Sequence, residues 1–149
     1  MQLATVEKGY QKYAWVLLFI FGIFAIIDAI AIIAGVDPDP SLFQKLLGQS
    51  LGDYSSLHPE AGTTITYLLQ LYGSALLVVG VFTAVVSYLP YRKGEKWAWY
   101  TMWYLPVWGL LEAISSYTNG GGSWVTETAF LLVGLAALLL PYRKFFPRK

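Results

Sequence analysis

Four apolar runs, at residues 13–35, 64–89, 97–117 and 124–140, leave this chain few folds to choose from. A bilayer's hydrocarbon core is ~30 Å thick, and a helix of ~20 predominantly apolar residues crosses it. A helix also satisfies its own backbone N–H and C=O groups, as a chain in hydrocarbon must. Composition agrees: 56% of residues are hydrophobic and only 13% are charged, about half the ~25% of an ordinary soluble domain. The expected fold class is all-α, a polytopic membrane protein forming a single four-transmembrane-helix bundle over residues 1–149.

Lys8 and Lys12 precede the first run, and Ala29-Ile-Ala31 resembles a signal-peptidase site. The run is longer than the ~7–15 apolar residues of a signal peptide, so it is expected to stay as a helix. The formal net charge of +1 points to no nucleic-acid partner. The absence of cysteine excludes disulfides, thiolate metal sites and a thiol nucleophile.

Punctuation along the chain sets the connections. Asp37-Pro-Asp-Pro40 stops the first helix, because proline cannot continue a helix and restricts the residue before it. The connection at 36–63 is too long for a simple hairpin turn. Within it, Ser41-Leu-Phe-Gln44 has the form of a capping box, and a short amphipathic helix is expected at about 41–51, limited by Gly48 and Gly52. In the second run Gly73, Ser74, Ala75 and Gly80 suit close approach to a neighbouring helix. Arg92-Lys-Gly-Glu-Lys96 is a tight basic turn, and Asn119-Gly-Gly-Gly-Ser123 is a flexible one. Pro106 interrupts the third run and Gly22 lies at the matching place in the first; both weaken a helix, so a kink at matched depth is expected.

The two halves echo each other. Lys12-Tyr-Ala-Trp15 repeats as Lys96-Trp-Ala-Trp99, and the same alignment sets Gly22 against Pro106 and Asp28 against Glu112. Leu89-Pro-Tyr-Arg-Lys93 likewise repeats as Leu140-Pro-Tyr-Arg-Lys144. The pattern predicts two parallel-related hairpins about an axis along the membrane normal. Nine of the ten Lys and Arg lie in the lead, the second connection and the tail. By the positive-inside rule both termini face the cytoplasm and the acidic 36–63 loop faces outside. Tyr13, Trp15, Tyr91, Trp97, Trp99 and Tyr142 then form an expected belt at the cytoplasmic interface.

Chemistry is expected where acids enter the apolar runs. Asp28 and Glu112 lie ~16 residues beyond Lys12 and Lys96, about 24 Å of rise at ~1.5 Å per residue, which puts both in the outer leaflet. Gln70 reaches a similar level, and Glu127 begins the fourth helix nearer the surface. Carboxylates in hydrocarbon cost a few kcal/mol, so these groups face the bundle interior or a wet cavity. No Lys or Arg lies within the runs to pair with them, which leaves proton sharing, a cation or an amine. The candidate cluster is Asp28, Gln70, Glu112 and Glu127, serving ligand binding or interhelical hydrogen bonding. A metal site is weighed and set aside: no Glu-x-x-His pair occurs, and the one histidine, His58, sits in the loop beside Pro59. No cofactor or catalytic residue is assigned, since no phosphate-binding glycine loop or Gly-x-Ser-x-Gly elbow is present.

Tyr91-Arg-Lys-Gly-Glu-Lys-Trp-Ala-Trp-Tyr100, with the closing Pro141-Tyr-Arg-Lys-Phe-Phe-Pro147, resembles a group of small four-helix membrane proteins of bacteria and archaea. The resemblance covers most of the chain and implies a prokaryotic plasma-membrane protein, with no established activity to carry over. More remotely, an acid late in the first helix followed by a long structured loop is similar to the emopamil-binding and sigma-2 receptor group. Those four-helix proteins bind or isomerise sterols; the likeness rests on layout and Asp28, and no catalytic residue follows from it. The sequence favours a non-enzymatic accessory or scaffold subunit of a larger membrane complex, with the lipid bilayer, other subunits or self-association as partners. The alternative is a stand-alone protein binding or transporting a small molecule, lipid or cation through Asp28 and Glu112. A membrane enzyme acting on a lipid or sterol-like substrate comes third.

Overall fold

The computed structural model describes residues 9–121 and 124–147. Glu7 and Lys8 of the lead, the Gly122–Ser123 end of the glycine turn, and Arg148 and Lys149 of the tail lie outside it. The described residues are helical, with no strand, and comprise α1 (Gly9–Ile33), α2 (Pro40–Leu47), α3 (Leu51–Leu57), α4 (Pro59–Val86), a π-helical turn (Ser87–Tyr91), α5 (Lys96–Thr101), α6 (Tyr104–Asn119), α7 (Trp124–Leu139) and α8 (Tyr142–Phe145). By length and composition three segments can cross a membrane: Gly9–Ile33, Pro59–Tyr91 and Trp124–Phe145.

The expected third span is broken, and proline is the reason. Pro106 has no N–H for the Met102 carbonyl, and its ring clashes with that group. The helix interrupts at Met102–Trp103, one turn before the proline, and restarts as α6. Pro90 acts similarly in the second span. It cannot donate to Val86, and the ladder adjusts by an i→i−5 bond from Arg92 N to the Ser87 carbonyl at 3.1 Å.

The 36–63 connection holds two helices rather than the expected one. Asp39, not Ser41, caps α2: its carboxylate accepts from Leu42 N at 3.1 Å, while the Ser41 hydroxyl donates to Asp39 at 2.6 Å. Pro40 sets this register, since it is pre-organised for the first helical position. Gly48 then ends α2 at φ 72, a left-handed conformation that glycine adopts without strain. A reciprocal cap starts α3, with Asp53 N donating to the Ser50 hydroxyl and that hydroxyl donating to the Asp53 carboxylate. α4 follows after His58, so the second span begins at Pro59 and not near residue 64.

Packing joins the long helices as pairs. α1 packs along α4, α6 packs along α7, and α1 also lies against α7. Glycine makes the first seam tight. A Cβ on Gly22 would lie 2.7 Å from Ala84 N, and one on Gly80 would lie 2.9 Å from Ile26 N. Such close approach is how helices gain dispersion energy when lipid is as apolar as they are. Gly73 joins that seam against Ala29 and Ile32, whereas Ser74 and Ala75, expected there too, face outward. Exposed apolar side chains such as Ile27, Val78 and Leu111 clothe the outside.

The core is concentrated at the end that carries the basic turn. Leu18, Tyr91, Trp99, Met102, Leu138 and Phe145 are its buried members. Two residues expected in an interfacial belt are therefore interior: Tyr91 is 2% exposed and Trp99 8%, while Tyr13, Trp97 and Tyr142 are exposed as expected. Backbone demand draws those two inward. Pro141 cannot donate to the Ala137 carbonyl, and that group accepts from the Tyr91 hydroxyl at 2.7 Å. The Leu138 carbonyl, at the same break, accepts from Trp99 Nε1 at 2.9 Å. Trp15 stays at the rim, with the Arg92 guanidinium 5.1 Å above its ring.

Candidate functional site

At the opposite end the two helix pairs stand apart around a cavity of about 410 Å³. Four helices line it, each with one stripe. α1 contributes Phe21, Phe24, Ala25 and Asp28; α6 contributes Leu105, Trp108, Gly109 and Glu112. Both sets follow the i, i+3, i+4, i+7 spacing that puts residues on one helical face. α4 adds Tyr72, Leu76 and Val79, and α7 adds Thr126, Glu127 and Phe130.

These stripes fall at corresponding positions when the two sequence echoes are aligned. The alignment that sets Lys12 on Lys96 sets the four α1 positions on the four α6 positions, Asp28 falling on Glu112. The alignment of Leu89 with Leu140 sets Leu76 on Glu127 and Val79 on Phe130.

Three carboxyls therefore share one space. Asp28 is exposed in the mouth of the cavity, while Glu112 and Glu127 are partly buried in its wall. Glu127 is within electrostatic reach of Glu112 and Asp28, and the Tyr72 phenol is within reach of all three acids. Glu127 lies in the first turn of α7, where the helix dipole favours negative charge. Among the described residues no Lys, Arg or His lines the cavity. Phe21, Phe24, Tyr72, Trp108 and Phe130 supply aromatic surface beside the acids.

The connection between the first two spans closes part of the mouth. Pro38 lines the cavity. Its neighbour Asp39 lies against Gly121, where an added Cβ would meet the carboxylate at 2.7 Å, and Lys45 of α2 lies against Gly120. The first connection thus rests on the turn that joins α6 to α7.

Not every expected residue arrives. Gln70 is exposed and does not line the cavity. It precedes Tyr72 by two residues, about 200° around the helix at ~3.6 residues per turn, so the two side chains point to opposite faces. His58 lies between α3 and α4, exposed and 4.8 Å from the Tyr54 ring, away from the acids. Among the described residues no three His, Asp or Glu side chains gather closely enough to hold a metal ion. The aromatic wall was not foreseen, although Phe21, Phe24 and Trp108 share a helical face with Asp28 or Glu112 and the spacing alone could have shown it.

No family model, curated protein or solved structure matches this chain.

Proposed function

We propose that this chain is a four-span membrane protein that binds a small organic cation in the cavity between its two helix pairs. In this reading α5 and α6 together form the third span, both termini are cytoplasmic, and the cavity opens outward beneath the 36–63 loop. The observation that carries it is the lining itself: Asp28, Glu112 and Glu127 beside five aromatic rings, with no basic side chain among the described residues there. Uncompensated carboxylates are costly in hydrocarbon, and a cation that enters supplies the missing charge. Aromatic faces attract the same cation, most strongly when it is desolvated. The volume lies within the ~300–1,000 Å³ usual for small-molecule sites. The coincidence of cavity and repeat supports this reading further, since duplicated membrane proteins place their sites at the repeat interface.

The accessory-subunit expectation makes no use of such a cavity, and the two separate by experiment. A ligand that binds only the folded state raises stability by mass action. Tetramethylammonium is expected to raise the thermal unfolding midpoint of the detergent-solubilised protein, with no such effect from sodium at equal ionic strength. The paired substitution Asp28→Asn with Glu112→Gln should abolish the shift. An equal shift in the paired variant, or none in the wild type with any ammonium ion, overturns the proposal.

A further inference from the structure

The four helices do not form a closed ring. α1 packs on α4 and α7, and α6 packs on α7, but among the described residues α4 and α6 share no extended seam. They are joined near the basic end, where the Thr83 hydroxyl hydrogen-bonds the Tyr104 hydroxyl and the Phe82 and Tyr104 rings lie 6.1 Å apart. From there toward the carboxyls the main cavity separates the two helices, lined by Tyr72, Leu76 and Val79 of α4 and by Leu105, Trp108, Gly109 and Glu112 of α6. A second groove lies along α6 on that side, lined by Tyr104, Val107, Trp108, Leu111 and Glu112. Trp108 and Glu112 line both this groove and the main cavity. Glu112 thus stands where the interior cavity passes into an apolar track facing the membrane, with Val107 54% and Leu111 63% exposed along it. From Glu112 down to Tyr104 the track runs about 12 Å at ~1.5 Å per residue.

Resting on the cation-binding reading above, we infer that the ligand is a membrane-dissolved amphiphile: an ammonium head among Asp28, Glu112 and Glu127, and an alkyl chain lying out through the α4–α6 gap along Val107 and Leu111. Charge complementarity fixes the head, because the described residues of the cavity include three acids and no base. The apolar track fixes the body, because a wholly hydrophilic cation has no use for a groove open to hydrocarbon. A chain in this groove exchanges one apolar neighbour for another, so it enters from the bilayer without first crossing water.

The test compares two probes on the full chain in an uncharged maltoside detergent, which carries no ammonium of its own. Dodecyltrimethylammonium, kept below its self-association concentration, is expected to bind at least about tenfold tighter than tetramethylammonium. Dodecanol, with the chain but no charge, is expected not to compete. Val107→Trp with Leu111→Trp, which fills the track, should bring dodecyltrimethylammonium down to the affinity of tetramethylammonium. Equal affinity of the two ammonium probes in the wild type overturns the membrane-borne ligand and leaves the cavity reading standing, as does a chain advantage that survives the tryptophan pair. If neither ammonium probe binds the wild type, both readings fall together. Should the tryptophan pair not fold, the wild-type comparison decides: dodecanol competing as well as dodecyltrimethylammonium overturns the inference, and its failure to compete, with dodecyltrimethylammonium binding tighter than tetramethylammonium, upholds it.

Discussion

Asp28 and Glu112 each close a four-position stripe on a different helix, and both stripes face one cavity. The two residues were matched by a sequence echo that begins at Lys12 and Lys96, roughly four turns earlier on each strand of the repeat. The same echo sets Gly22 against Pro106, which solve the packing of their own pairs differently. Gly22 lets the α4 backbone approach α1, whereas Pro106 breaks its helix and lies buried near Gly134 of α7.

Tyr91 and Pro141 should be energetically coupled. Tyr91→Phe leaves the Ala137 carbonyl buried without a donor, at an expected cost of about 1–3 kcal/mol. In a Pro141→Ala background residue 141 has its own N–H for that carbonyl, and the cost should fall below about 0.5 kcal/mol. The difference is a coupling of about 0.5 kcal/mol or more, read from unfolding in a double-mutant cycle. Additive effects would show that Tyr91 answers to packing rather than to the carbonyl.

Gly22 should tolerate no side chain. Alanine is favoured over glycine within a helix by about 1 kcal/mol, but a Cβ at Gly22 would sit 2.7 Å from Ala84 N and 2.9 Å from the Gly80 carbonyl. Those are backbone atoms, so the helices must separate, and overpacking of this kind costs about 1–3 kcal/mol. Gly22→Ala is therefore expected to lower stability, and Gly9→Ala, with nothing within 4 Å of its Cβ, to leave it unchanged or raise it. Equal effects at the two positions in thermal unfolding would contradict the α1–α4 seam.

Pro106→Ala should join α5 and α6 into one helix. An N–H at residue 106 can bond the Met102 carbonyl, and the helix should run unbroken from Lys96 to Asn119. Hydrogen exchange at residues 103–106 reports this directly: strong protection in the variant is expected, and exchange as fast as in the wild type would place the cause of the break elsewhere.

The proposed orientation has a simple readout. With the chain in intact cells, a membrane-impermeant thiol reagent should label Ser56→Cys in the first connection and not Lys93→Cys in the basic turn. The reverse pattern inverts the protein.

Much of this arrangement was legible in the sequence, for physical reasons that can be named. Three spans follow from apolar length, and the break near Pro106 follows from a missing N–H. Asp28 and Glu112 line one cavity, and the sequence echo that aligns them also aligns the helical faces they occupy. Gln70 misses the cavity because depth along α4 sets it level with the acids while rotation about the helix turns it away from Tyr72. Tyr91 and Trp99 were misassigned because, in a chain whose outside and inside are both apolar, composition does not separate a lipid anchor from a core residue. The free carbonyls that Pro141 creates were the available signal. The second loop helix was missed because α3 is short and its cap is a Ser50–Asp53 pair rather than the Ser-x-x-Glu/Gln form.

The most direct measurement is to extract the chain from its native membrane in mild detergent and identify what leaves with it. The account predicts a chain without a stoichiometric protein partner, carrying about one organic ammonium compound that is released on unfolding and is absent from the Asp28→Asn, Glu112→Gln variant. A stoichiometric protein partner, with no such compound in wild type or variant, would contradict it and make the chain a subunit of a larger complex.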